Sequence, residues 1–263
     1  MMVKNASPFL SKYNFLPPQP CSYRNTPIPY TTVLHKTRGI VLNFIKYRET
    51  SIITRIYTED FGLQSYIVNS VRGGSRKSRS KISFFQPMTL LDLVVYYRKN
   101  VAINRISDIR CVEPYQELPY HVVKASIALF LTEVLNKSLK EEEGEPELFS
   151  FLQSSLLVFD QLPGGYENFH LQFMLKLSRY LGFAPESAES FFEEVYALVG
   201  KPTVSEEERA ALNSLLENNY ADHVKLSQAT RRVLLDDLLK FYRLHVASFG
   251  ELKSLPILRE VLE

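Results

Sequence analysis

Cysteine is nearly absent from this chain. Its 263 residues hold two, Cys21 and Cys111, with no CxxC pair and no histidine cluster beside either. That excludes a disulfide framework and a four-cysteine zinc site, and it suits a reducing compartment. Histidine is sparse as well. His35, His121, His170, His223 and His245 never pair at i+3 or i+4, and no HExxH occurs. Each is expected to be an ordinary surface or interface residue, so no metal is expected. No apolar run approaches the roughly 18 residues of a membrane-spanning helix. Residues 1–30 lack the continuous apolar core of a secretory signal. Catalytic motifs are missing too. There is no GxSxG, and Ser75-Arg76-Lys77-Ser78 lacks the glycine that a phosphate-binding loop needs directly before its lysine. Glu141-Glu142-Glu143-Gly144-Glu145, followed by Pro146, reads as a solvated link between helices. Nothing supplies a nucleophile with a base, or carboxylates at a recognisable spacing. The pattern favours a binding protein over an enzyme and calls for no cofactor.

Acids are missing from one long stretch, Phe61 to Leu91. Inside it lies Arg72-Gly73-Gly74-Ser75-Arg76-Lys77-Ser78-Arg79-Ser80-Lys81, with five positive charges in ten residues. A glycine-hinged cationic loop offers reach, exposed N–H groups and several phosphate-pairing heads, which is what a polyanion site requires. The whole chain has a net charge of only +2. Residues 1–118 carry 17 Lys+Arg against 7 Asp+Glu, or +10, and residues 119–263 carry 14 against 22, or −8. A basic front and an acidic rear argue for two modules with different partners.

The patterning divides in the same place. Residues 1–32 hold six of the 14 prolines and no acid. They are expected to be a disordered, removable tail, with an artefact of an upstream start-codon choice as the alternative. From Thr37 to Pro114 the signals are those of strands, at Gly39–Tyr47, Ser51–Thr58, Gln64–Ser70, Met88–Arg98 and Val101–Cys111. Five short strands with one long cationic loop fit an OB-type barrel, a fold that commonly binds single strands. After Pro119 the period becomes 3.6. Six or seven helices are expected, with a clear stop at Leu162-Pro163-Gly164-Gly165, another at Gly182, and a capping box at Ser205 and Glu208. The expected architecture is α+β and multidomain: a tail (1–32), a five-stranded OB-fold barrel (33–116) and an all-α helical domain (117–263).

Several motifs now fall in a recognisable order. Thr37-Arg38-Gly39-Ile40-Val41-Leu42, Tyr47-Arg48-Glu49-Thr50-Ser51 and Tyr57-Thr58-Glu59-Asp60-Phe61-Gly62 are followed by Val71-Arg72-Gly73, Lys77-Ser78 and Phe85-Gln86-Pro87. This order resembles the N-terminal domain of the bacterial RecO recombination mediators. Leu181-Gly182-Phe183 extends the resemblance into the helical half. The resemblance implies DNA repair through the RecF pathway, in the cytoplasm at the nucleoid. It implies binding of single- and double-stranded DNA and annealing of complementary strands. It further implies work with RecR to load RecA onto DNA coated by single-stranded-DNA-binding protein. Two departures stand out. Some members carry a four-cysteine zinc site in the helical domain, but no cysteine follows Cys111 here. Met88 stands where members have phenylalanine, an apolar exchange expected on a strand.

The candidate DNA contacts are therefore Arg38, Arg72, Arg76, Lys77, Arg79 and Lys81. Tyr66, Phe84 and Tyr96 either stack bases or fill the barrel. The acidic helical half repels phosphate on average, so it is expected to bind proteins. The acidic, apolar-ended tail of the single-stranded-DNA-binding protein needs an apolar groove with a cation at its rim. Lys176, Arg179, Arg231 and Arg232 are the cations available, and each serves equally well as an ordinary helix-surface charge. Two alternatives remain at this point: an RNA-binding or scaffolding module, and a nuclease with an unrecognised site.

Overall fold

The computed structural model describes residues 33–71, 81–111, 113–140, 144–197, 200 and 203–262. The proline-rich stretch 1–32 lies outside the described residues. Five strands follow: β1 (Leu34–Tyr47), β2 (Ser51–Thr58), β3 (Gly62–Val68), β4 (Leu90–Tyr96) and β5 (Asn104–Cys111). They close into a barrel in the order β1-β2-β3-β5-β4. All neighbours are antiparallel except β3 and β5. That parallel seam rests on two residue pairs, Tyr66 with Asn104 and Ile67 with Arg105. The buried Asn104 side chain reinforces it, accepting from the Arg98 N–H at 3.0 Å and donating to Gln64 Oε1 at 3.4 Å.

Period-two alternation sets what each strand buries. On β2, Ile52 and Ile56 point inward with Val41, Tyr66 and Val95, forming the barrel interior. β1 is longer than the sequence suggests and starts five residues before Gly39. Its first half pairs with β4 and its second half with β2, and Gly39 pairs in both directions. A Cβ on Gly39 would stand 2.6 Å from Ile56 Cγ2 and 2.8 Å from Leu93 Cδ1, so any side chain there would have to displace both. β4 starts at Leu90, later than expected. Met88 sits before it in a left-handed turn (φ +66°), fully buried, and not on a strand.

Seven helices follow among the described residues: α1 (Val122–Ser138), α2 (Pro146–Gln161), α3 (Phe169–Tyr180), α4 (Ala188–Tyr196), α5 (Glu206–Glu217), α6 (Gln228–His245) and α7 (Leu255–Leu262). Ser205 and Glu208 form the expected capping box, and Gly182 (φ +83°) follows α3 as expected. No described helix is long and apolar enough to cross a membrane.

The two halves share a core. Ile40, Leu42, Tyr57 and Leu63 on the outside of the barrel belong to one continuous apolar cluster with Phe130, Phe149 and Phe173 of the helices. Gly144, just before α2, lies so close to the Glu59 backbone that a Cβ would collide with it. The connection from β5 to α1 is fastened by polar groups. The Asp160 carboxylate accepts the N–H groups of Gln116, Glu117 and Leu118 at 2.7–2.9 Å. Fully buried Lys124 donates to Glu117 Oε2 (2.5 Å) and to the carbonyls of Asp160 (2.9 Å) and Leu162 (2.8 Å).

Candidate nucleic-acid interface

Arg72, Arg76, Lys77 and Arg79 lie outside the described residues, but both roots of their segment are within them. At the first root, the Val71 N–H donates to the Thr50 carbonyl at 3.0 Å, and Ser51 Oγ donates to Asn69 Oδ1 at 3.0 Å. At the second, exposed Lys81 precedes a short 3-10 turn (Ser83–Phe85) whose Phe85 is fully buried in the barrel cluster. The Met88 N–H then donates to the Val41 carbonyl at 2.7 Å, and the Val41 N–H donates to the Thr89 carbonyl at 3.0 Å. The basic segment thus leaves and re-enters at fixed points on the barrel. Its first root adjoins the β1–β2 hairpin, where the Arg48 guanidinium lies 5.2 Å from the Tyr47 ring centre.

Arg38 is ion-paired where the barrel meets the helices. Its Nε and Nη2 donate to the two Glu59 carboxylate oxygens at 2.7 and 2.5 Å, and Nη1 donates to Gln153 Oε1 at 2.8 Å. The guanidinium also lies 5.1 Å from the centre of the Phe149 ring. The hydrogen bond to Glu59 raises the Arg38 pKa, and Arg38 in turn lowers that of Glu59. The guanidinium fastens the barrel to α2, and 45% of the Arg38 side chain stays exposed.

The three candidate aromatics have separate fates. Tyr66 is wholly buried in the barrel interior and presents no ring face to a base, so of its two expected roles it fills the barrel and does not stack. Burial raises its hydroxyl pKa. Phe84 is half-buried against the same interior, in the turn that re-enters the barrel. Tyr96 points outward and is half-buried, paired with Leu34 on one side and Arg105 on the other.

Among the helical cations, Arg231 and Arg232 come together. They line a pocket with Leu235, Leu258 and Leu262, built from α6 and α7 against His170 of α3. Arg231 Nε donates to Asn168 Oδ1 at 2.7 Å, and its burial lowers its pKa. Lys176 is not in that lining; its Nζ donates to the Asn218 carbonyl at 3.2 Å and lies 5.6 Å from the Tyr220 ring centre. Arg179 stands exposed in the last turn of α3 and is also outside the pocket. His170, expected at the surface or an interface, is instead fully buried. Burial, with Arg231 nearby, pushes its imidazole down to about 3.

These features together mark a class: a closed five-stranded OB-fold barrel with a cationic segment between its third and fourth strands, continued by a helical domain, an arrangement suited to a polyanionic ligand. Comparison with known proteins narrows the class. Residues 33–115 match the family described as Recombination protein O N terminal, and residues 121–194 match Recombination protein O C terminal. DNA repair protein RecO of Bacteroides fragilis is 34% identical over 244 residues, covering 88% of this chain and 100% of the relative. Its counterpart in Phocaeicola vulgatus is 35% identical over 241 residues (87% and 99%), and that of Flavobacterium psychrophilum 32% over 235 (86% and 98%). The chain belongs to the RecO family of DNA repair proteins.

Proposed function

We propose that the chain is a DNA-binding recombination mediator of the RecF pathway and not an enzyme. In this role it binds single- and double-stranded DNA, anneals complementary strands, and works with RecR to bring RecA onto DNA coated by single-stranded-DNA-binding protein. The observation that carries the proposal is the basic segment strung between two anchored barrel roots, in a chain of this family. Annealing brings two polyanions together without covering their base edges. Arg72, Arg76, Lys77, Arg79 and Lys81 neutralise phosphate without reading sequence, so no chemical step is needed. The acidic, apolar-ended tail of the single-stranded-DNA-binding protein docks at the pocket of Leu235, Leu258 and Leu262, with Arg231 and Arg232 as its cations.

A strand-annealing assay tests the proposal. Replacing Arg76, Lys77, Arg79 and Lys81 by alanine should slow annealing strongly in a protein that still folds. Unchanged annealing would remove the segment from the site. For the partner surface, Arg231→Glu with Arg232→Glu should abolish binding of the tail peptide and leave binding of bare DNA intact. Loss of neither would move the peptide site elsewhere.

A further inference from the structure

α7 closes the helical domain, and one of its faces is left bare. Leu255, Leu258 and Leu262 pack into the core, with Leu258 fully buried. Arg259 pairs with Asp236 of α6. At helical spacing, Lys253, Pro256, Ile257 and Glu260 share the remaining face, and all four are exposed. The pocket assigned above to the tail peptide uses Leu258, Arg259 and Leu262, so this face is separate from it. The face continues onto α1, which packs beside α7. The Glu133 carboxylate joins the two helices. It accepts the Lys253 and Ser254 N–H groups at 2.9 Å and the Ser254 hydroxyl at 2.7 Å. From Glu133 back toward the start of α1, the same side of the helix presents Leu129 and Val122, 40% and 69% exposed, beside Ile257 at 47%.

Apolar side chains left in water on adjoining helices gain by being covered. The charges at the two ends of α7 indicate what covers them. Lys253 stands beside its start and Glu260 in its last turn. Neither side chain has a hydrogen bond or ion pair among the described residues. Their order is also the reverse of what the helix itself prefers, which is an acid at its start and a base at its end. The stability of α7 therefore does not explain their placement. With one charge of each sign, the face attracts neither a polyanion nor an acidic peptide. A partner that fits it is apolar at its centre, negative opposite Lys253 and positive opposite Glu260. A second α7 turned end for end meets that description. Ile257 falls beside the midpoint of the span from Lys253 to Glu260, roughly 10 Å along the helix. A twofold axis there sets Lys253 of each copy against Glu260 of the other.

We infer that this face docks a second copy of the chain, with the two α7 helices packed antiparallel about a twofold axis at Ile257. Such a contact uses the same surface on both copies, so it closes on itself and stops at a dimer. The surface is small, so the dimer dissociates in the micromolar range. Where strands are annealed, as proposed above, the pair holds two barrels in one particle.

Sedimentation velocity of the full chain without DNA, over a concentration series that spans the micromolar range, tests this. The unmodified protein should pass from monomer to dimer. Ile257→Asp should stay monomeric throughout. Lys253→Glu sets acid against acid at both ends of the contact and should weaken the dimer about tenfold or more. Lys253→Glu with Glu260→Lys puts opposite charges back across the axis and should restore the dimer. The reversed pair suits the dipole of α7, and all three positions are exposed, so these variants keep the fold. A protein that stays monomeric at every concentration overturns the inference. So does a dimer that survives Ile257→Asp, or a double variant that does not regain what Lys253→Glu loses. Failure of the proposed DNA function looks different: DNA binding would be missing while dimerisation stays intact.

Discussion

His170 shows how one residue can act against its local pattern. It lies in an amphipathic helix where a surface histidine is ordinary, yet it is fully buried and its pKa falls to about 3. A histidine in the unfolded chain titrates near 6.5. Below that value the unfolded state takes up a proton that the folded state refuses, so stability is full above pH 6.5 and is lost as pH falls toward about 3. Between pH 7 and pH 5 this residue should cost the protein about 2 kcal/mol in urea unfolding. His170→Leu should flatten that loss, and an unchanged pH dependence in the variant would show that His170 titrates alike in the folded and unfolded chain. Glu59 acts in the same direction at lower pH. Arg38 holds its pKa down, so its contribution fades as pH falls through the carboxylate range. Neither effect is legible in the sequence. Arg38 is 21 positions from Glu59 and 115 from Gln153, and those partners decide what its charge can do.

At the scale of elements, legibility follows pattern strength. β2 is legible to the residue because Ser51–Thr58 alternates cleanly between two turn signals. The start of β1 is not, because His35, Lys36 and Arg38 give its first half a polar character that only pairing with β4 overrides. Met88 reads as a strand residue because it is apolar. It actually makes the left-handed turn that pins the root of the basic segment, and Tyr115 Oη donates to its carbonyl at 2.8 Å. The seven helices are legible from period and caps, but the polar fastening of the β5–α1 connection is not. Asp160 sits near the end of α2 and holds three backbone N–H groups, partners 42 to 44 residues away that no local pattern announces. Asp160→Ala should cost about 3 kcal/mol, since it strands those donors, and urea unfolding would measure it. A loss below about 0.5 kcal/mol would mean that water replaces the carboxylate.

For the whole molecule, the charge division between basic front and acidic rear does not correspond to two independent cores. The helical core continues onto the barrel through Ile40, Leu42, Tyr57 and Leu63. Thermal unfolding followed by circular dichroism and by tyrosine fluorescence should therefore give one coincident transition. Two separated transitions would show that barrel and helices fold apart. A fragment cut near residue 119 would leave helix residues such as Phe149 without their barrel partners, so partner surfaces are best tested in the full chain. The central claim, that the basic segment on this barrel holds DNA by its phosphates, meets its most direct test in the salt dependence of DNA affinity. In a folded protein with Arg76, Lys77, Arg79 and Lys81 replaced by alanine, affinity for DNA of any sequence should fall. The log–log salt slope should flatten by roughly one unit for each phosphate that no longer meets a cation. An unchanged affinity and slope in that variant would contradict the claim.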